Sequence, residues 1–168
     1  KREDFYNFFI KDLGINWAVA SVMPKIIDRI NIHQANKLAM KRALLRLSKK
    51  MSERSGSTSS PQVDMVLIDG NISIDLPIKQ ASIIKGDEQI ALIAIASIIA
   101  KVTRDRAMLR YHKRFPEYRF DLHKGYGTKM HIQAIKKHGS CQIHRQSFLK
   151  NFASVSRNVS RWFRGGIH

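Results

Sequence analysis

Val63 to Ile68 is almost wholly apolar, broken only by Asp64, and closes on Asp69-Gly70-Asn71. A run this short with apolar residues on both parities suits a strand buried on both faces and ending in a turn, which requires packing layers above and below it. A second strand is expected over about Ala81 to Lys85 and a third over Ile15 to Val22, with helical patterns between them. Strands alternating with helices point to an α/β fold, a mixed sheet flanked by helices. Three strands make a small sheet, and the fold reads as incomplete.

Phe5, Phe8, Phe9 and Leu13 recur at near-helical spacing before Gly14. Pro24 opens a second helix whose core face is Ile26, Ile27, Ile30, Leu38 and Leu45, with an interruption near Asn31 and an end around Leu47. Ser48 to Gln62, rich in Ser, Lys and Gly, reads as a surface loop. From Glu88 to about Arg114 the pattern is one long helix, apolar first and basic later. Thr128 is placed to cap a short helix that Gly139 ends. Residues 1–150 form one expected domain, and Phe152, Val155, Val159 and Trp162 mark a basic amphipathic helix over 151–168.

The chain has 30 Lys and Arg against 13 Asp and Glu, a net charge of +17. Residues 101–168 hold 16 basic and 3 acidic residues, so the excess lies in the C-terminal part. A polyanion is the expected partner, although such charge also serves solubility. The one cysteine, Cys141, excludes an internal disulfide and fits a reducing, cytoplasmic compartment. The longest apolar run, Ile90 to Ala100, is eleven residues broken only by Ser97 and too short to span a bilayer. The charged opening Lys1 to Asp4 reads unlike a secretory leader, and the lack of an initiator Met points to a piece of a longer chain.

Two aspartates are candidates for chemistry. Asp69 shares a strand face with Met65 and Leu67 and sits at the strand's C-terminal end, where open α/β sheets place their sites. The same Asp-Gly pair also fits a plain turn whose carboxylate bonds to nearby backbone N–H groups. Asp105 falls on the long helix in the stripe of Ala91, Ala94, Ile98, Val102 and Leu109, so it faces the packing side and needs a cation, a metal or a protonated neighbour. Lys101, Arg104 and Arg106 are structural partners it could take instead. Two converging carboxylates suggest a Mg²⁺ site suited to phosphodiester hydrolysis, though two-metal sites normally use more ligands.

His123-Lys124-Gly125-Tyr126-Gly127-Thr128 is the densest local pattern. Lys124, Gly125 and Tyr126 are candidate substrate-binding residues, because glycines let the backbone approach a ligand while the ring offers a stacking face. A tight turn with Tyr126 packed inward is the alternative. His144, Arg145 and Ser147 form a second polar group, able to hold a phosphate or to tie the last helix to the core. His33, His112, His131 and His138 lack the spacing of a metal cage and read as surface or satisfied histidines.

Taken in order, Leu67-Ile68-Asp69-Gly70-Asn71, the stretch Ala94 to Arg106 ending Arg104-Asp105-Arg106, the loop His123 to Thr128 and His144-Arg145-Gln146-Ser147-Phe148 resemble ribonuclease HII. Trp17-Ala18-Val19 and Ile30-Asn31-Ile32-His33-Gln34-Ala35 extend the resemblance over most of residues 1–150. The resemblance implies a ribonuclease H-like mixed sheet flanked by helices. It also implies cleavage of the RNA strand of RNA–DNA hybrids and at single ribonucleotides embedded in DNA, with Mg²⁺ or Mn²⁺ as cofactor and a monomeric state.

By the same resemblance Asp69 and Asp105 correspond to two of the family's four acidic metal-binding residues, and Tyr126 to a tyrosine that packs on a sugar beside the ribonucleotide. The other two acids belong to an opening Asp-Glu-Ala-Gly-Arg-Gly motif, which also senses the 2′-hydroxyl and is not present in this sequence. The family's Asp-Ser-Lys-Lys-Leu segment is also not present. The chain by itself is therefore expected to be inactive, and a noncatalytic basic nucleic-acid-binding module stays open as the alternative.

Overall fold

A computed structural model describes residues 1–55 and 63–150. The elements in chain order are α1 (Arg2–Asn7) continued by a π-helical turn (Phe8–Asp12), α2 (Pro24–Ser55), β1 (Val66–Asp69), β2 (Gln80–Ile83), α3 (Gly86–Gln89), α4 (Ala91–Arg114), a 3₁₀ turn (Pro116–Tyr118), α5 (Phe120–His123), α6 (Lys129–His138) and α7 (Gln146–Leu149). The fold is α/β and mostly helical. Residues 151–168, where a terminal helix was expected, lie outside the described residues, as do 56–62 of the expected loop.

The chain divides into two compact units. Of the described residues, the first comprises Lys1–Val22 with Ile32–Thr103, and the second Met23–Asn31 with residues 104–150. Within the first unit β1 and β2 pair in parallel, Val66 opposite Gln80 and Asp69 opposite Ile83. Gln80 also orders the connection between them. Its Oε1 accepts from the Ile74 N–H at 2.9 Å, and its Nε2 donates to the Ile74 and Leu76 carbonyls at 2.8 and 3.2 Å. Ile74 and Ile68 are buried beside these bonds, so a polar side chain satisfies backbone groups that would otherwise lose water without a partner.

The expected strand over Ile15–Val22 is not one. Lys50 Nζ donates to the Trp17 carbonyl at 3.4 Å, Arg46 Nη1 to the Val19 carbonyl at 2.9 Å, and Arg54 Nη1 to Asn16 Oδ1 at 2.8 Å. These three cations stand four residues apart along α2, on one helix face, and Arg46 and Lys50 occupy backbone carbonyls that a neighbouring strand would have used. Trp17 and Val19 pack with buried Tyr6, Ile99 and Val102. For the same reason α2 runs on to Ser55 instead of ending near Leu47. The Ser48–Ser55 stretch is tied down by Lys50, Arg54 and a Lys49–Glu53 ion pair.

The helix break near Asn31 is present, with φ 66° and ψ 168° at that residue. The N-terminal helix turns its other face inward. Tyr6 is buried while Phe5, Phe8 and Leu13 are 44 to 52% exposed, because Tyr6 meets Trp17 edge-on at 6.1 Å. Leu45 is likewise exposed, and Ala35 takes the buried place on α2. The single long helix from Glu88 is broken at Ile90, whose extended backbone separates α3 from α4 and whose carbonyl accepts from the Ile93 and Ala94 N–H groups.

The second unit has its own core of Tyr118, Phe120, Ile135 and Leu149, with Met108, Phe115, Ala134, Cys141, Ile143 and Phe148 packed around it. Tyr118 stacks on Phe120 at 5.5 Å and donates its hydroxyl to the Gly139 carbonyl at 3.0 Å. Burial, with smaller contributions from Cys141 and Glu117, pushes the Tyr118 hydroxyl up to about 12. As expected, Thr128 caps α6 by accepting from the His131 N–H, and Gly139 ends it at φ 80°.

Candidate nucleic-acid and metal-binding residues

In the first unit Asp69 ends β1 and is exposed, while its neighbour Ile68 is buried. Of the possibilities raised by the sequence, the turn with its carboxylate on a backbone N–H is the one seen. Gly70 turns the chain at φ 87°, and Asp69 Oδ1 accepts from the Gly86 N–H at 2.9 Å, linking the end of β1 to the start of α3. Gly86 is buried. A Cβ there would lie 2.7 Å from Ile93 Cδ1, so the Ile93 side chain packs where a larger residue would stand, while Asp69 Oδ1 at 3.5 Å is at ordinary contact distance. Among the described residues the printed partner of the Asp69 carboxylate is this one N–H, which uses Oδ1.

Asp105 lies in the second unit, half-buried on α4, directly after Arg104. Carboxylate oxygens are hard donors of the kind that Mg²⁺ and Mn²⁺ prefer, so Asp69 and Asp105 suit such an ion by chemistry. Among the described residues no group of three or more His, Cys, Asp or Glu is placed to hold a metal ion.

The second unit also contains the loop between α5 and α6. Lys124 takes a left-handed conformation at φ 50°, and Gly125 follows at φ 82°. A non-glycine residue there costs roughly 1 kcal/mol, and the surroundings fix it. The Lys124 N–H donates to the Phe120 carbonyl at 3.1 Å, its ammonium to the Asp121 carbonyl, and its own carbonyl accepts from Arg104 Nη2 at 3.0 Å. Arg104 also donates to the Tyr126 hydroxyl at 2.8 Å and places its guanidinium 4.5 Å from the ring centre. Tyr126 is 54% exposed, so the inward-packed alternative is excluded, and an aromatic surface stands fixed beside a cation.

The glycines of the loop serve its packing as well. A Cβ on Gly125 would lie 3.1 Å from Met108 Cε, and one on Gly127 would lie 3.0 Å from Phe148 Cζ. The loop therefore rests tightly on the core of the second unit.

Ser147 is held by an acid. Asp28 Oδ1 accepts from the Ser147 hydroxyl at 2.6 Å and from its N–H at 2.9 Å, and Oδ2 accepts from the Gln146 N–H at 2.7 Å. Burial alone would raise the Asp28 carboxyl, but the Ser147 hydroxyl, the two amides and Arg145 outweigh it and hold it below the ordinary range. Asp28 thus ties the start of α7 to α2, while the last helix that this group was expected to hold lies outside the described residues.

Sequence reasoning did not foresee the arrangement of histidines beneath the loop. His123, His131 and His144 are all buried. His123 stacks on His131 at 4.2 Å and 17°, and His131 Nε2 lies 2.9 Å from His144 Nε2. Burial pushes His144 down to about 4, helped by His131, and also lowers His131. The one hint in the sequence was that His123 and His144 each flank a polar motif and His131 follows a helix cap by three residues.

The ribonuclease HII family model matches residues 15–151. The chain is 48% identical over 149 residues to a ribonuclease HII of Endomicrobium trichonymphae, covering 88% of this chain and 65% of the relative. It is 44% identical over 155 residues to one from Caldicellulosiruptor bescii, covering 92% and 69%. A third, from Alkaliphilus metalliredigens, is 43% identical over 150 residues, covering 89% and 70%. The chain thus spans about two thirds of the length of these curated relatives. With the family model matching most of its residues, this chain belongs to the ribonuclease HII family.

Proposed function

We propose that the protein to which this chain belongs is an endonuclease that hydrolyses the RNA strand of RNA–DNA hybrids and single ribonucleotides embedded in duplex DNA. The observation that carries this reading is Tyr126, an exposed ring fixed on one side by Arg104 within a strongly basic chain. A rigid aromatic face presented beside cations can pack on a sugar or base while the phosphates are neutralised around it.

In this reading Lys124, Gly125 and Tyr126 meet the substrate backbone and sugar, and Arg145, next to the Ser147 that Asp28 holds, takes a flanking phosphate. Asp69 and Asp105 would hold Mg²⁺ or Mn²⁺. When bound, such an ion supplies an activated water and neutralises charge on the scissile phosphate. The Gly86 N–H bond leaves one Asp69 oxygen for that task and fixes its direction. Products would carry 3′-hydroxyl and 5′-phosphate ends. We place the protein in the cytoplasm as a monomer acting on newly replicated or damaged DNA. No helix among the described residues is long and apolar enough to cross a membrane.

Only two of the four acids that the family uses are present here, so this chain alone should cut weakly or not at all. The test is cleavage of a labelled duplex with one embedded ribonucleotide, in Mg²⁺ or Mn²⁺, by this chain and by the chain with an Asp-Glu-Ala-Gly-Arg-Gly segment restored, each checked for folding by circular dichroism. Cutting by the restored chain alone supports the proposal. Binding without cutting by both favours a noncatalytic nucleic-acid-binding module, and robust cutting by both overturns the role given to the four acids.

A further inference from the structure

We infer that His131 and His144 are positioning residues for Tyr126, fixing the substrate-facing loop through a one-way chain of hydrogen bonds; this rests on the reading of Tyr126 as a substrate contact.

The direction of the chain follows from its two ends. The Cys141 N–H donates to His144 Nδ1 at 2.9 Å, so that nitrogen carries no proton. The neutral His144 ring must then carry its proton on Nε2, which lies 2.9 Å from His131 Nε2. His131 Nε2 can only accept, which leaves its proton on Nδ1, 2.9 Å from the Tyr126 carbonyl. That carbonyl can only accept. One arrangement of protons satisfies all three bonds, and reversing any ring sets donor against donor or acceptor against acceptor.

His123 completes the support from the neighbouring peptide. Its Nδ1 accepts from the Gly125 N–H at 3.1 Å, and its Nε2 is 2.6 Å from the Tyr118 carbonyl, so its tautomer is fixed too. The two stacked rings of His123 and His131 therefore hold consecutive residues of the loop, one taking the Gly125 N–H and the other giving to the Tyr126 carbonyl. The Thr128 N–H shares that carbonyl at 2.9 Å. Arg104 fixes the ring of Tyr126 from outside, and the histidines fix its backbone from within. Buried rings whose polar atoms are all matched are costly to rearrange, which is what a loop needs in order to present one side chain in one direction.

The experiment uses the full chain and a fluorescently labelled DNA duplex with one embedded ribonucleotide, in EDTA so that only binding is read. In His131→Asn the amide takes the place of the Nδ1–H and keeps the bond to the Tyr126 carbonyl, whereas His131→Leu fills similar space and cannot. The Asn variant is expected to bind within about twofold of the parent and the Leu variant about tenfold more weakly, the loss of one buried hydrogen bond and its ordering. Tyr126→Ala is the reference. If it weakens binding while Leu and Asn at position 131 bind alike, the positioning role is wrong and the substrate contact stands. If Tyr126→Ala binds like the parent, the contact itself is wrong and the inference falls with it. Should the Leu variant fail to fold, the side-chain ¹H–¹⁵N spectrum of the parent decides. Protons on His144 Nε2 and His131 Nδ1 are expected, and either opposite tautomer overturns the chain.

Discussion

Arg104 holds Tyr126 twice, by a 2.8 Å bond to the phenol oxygen and by a guanidinium 4.5 Å from the ring centre. Its other terminal nitrogen takes the Lys124 carbonyl at 3.0 Å. Only a planar fork can make the two bonds and lie against an aromatic face at once. Arg104→Lys keeps the charge and loses the fork. It should weaken binding of a ribonucleotide-containing duplex by about fivefold, roughly 1 kcal/mol, with the salt dependence of binding unchanged because the same number of cations meets the phosphates. Fluorescence anisotropy across a salt series reads both quantities. A Lys variant that binds like the parent would reduce Arg104 to its charge.

What the sequence made legible is what depends on near neighbours. The Thr128 cap, the Gly139 stop, the break at Asn31 and the turn after Asp69 each follow from one residue's own preferences. Contacts between distant residues were not readable in this way. The Asp28–Ser147 bond joins residues 119 apart, and nothing in the local pattern around Asp28 marks it as a cap for another helix. The segment Ile15–Val22 has strand-like residues, but its pairing was decided by Arg46 and Lys50, which claim its carbonyls from a helix. Phe5 and Phe8 fit a buried stripe as well as Tyr6 does, and the distant residues Trp17, Ile99 and Val102 select Tyr6. The aspartates and Tyr126 were legible as candidates through motif resemblance, while the histidine chain that supports the loop was not.

The buried histidines make stability depend on pH with a definite sign. His144 titrates near 4 in the folded chain against an ordinary 6.5, and His131 is also lowered, both chiefly by burial. The groups facing them are each other, His123, Cys141 and the ring of Tyr118, with Glu117 acting on Cys141. Below pH 6.5 the unfolded chain takes protons that the folded one refuses until about pH 4, so stability falls as pH falls through that window. His144 alone should cost about 2 kcal/mol between pH 7.5 and pH 5, at about 1.4 kcal/mol per unit. Urea unfolding at the two pH values measures it, and His144→Gln should flatten the dependence. Equal pH dependence in parent and variant would place the titration elsewhere.

The Asp28 carboxylate supports Ser147 and Gln146 through three hydrogen bonds. Asp28→Ala should lower stability by about 1 kcal/mol, the usual effect of losing such a cap, and Ser147→Ala by somewhat less. The double variant should cost less than the sum, because both singles remove the same 2.6 Å bond. Chemical unfolding of the four proteins gives the coupling. Additive losses would mean that the two side chains act independently. Because the folded Asp28 carboxyl lies below its ordinary range, its contribution persists above that range and is lost only as pH falls through the lowered value, beneath the window in which the histidines act.

Asp69 separates structure from chemistry because one of its oxygens has a structural partner in the Gly86 N–H at 2.9 Å. Asp69→Asn keeps an oxygen there to accept that bond, so its stability should stay within about 0.5 kcal/mol of the parent, the range of a harmless surface change. Asp69→Ala removes the acceptor and leaves the amide of buried Gly86 unpaired, which should cost about 1 kcal/mol or more. In the chain extended by an Asp-Glu-Ala-Gly-Arg-Gly segment, both substitutions should abolish cleavage, since alanine offers Mg²⁺ no oxygen and a neutral amide is a poor ligand for it. Affinity for the duplex should hold or rise slightly as a negative charge near the phosphates is removed. Urea unfolding, anisotropy and a cleavage assay on the same preparations test the three statements together. An Asn variant as stable as the parent that still cuts would confine Asp69 to its bond with Gly86 and remove it from the chemistry.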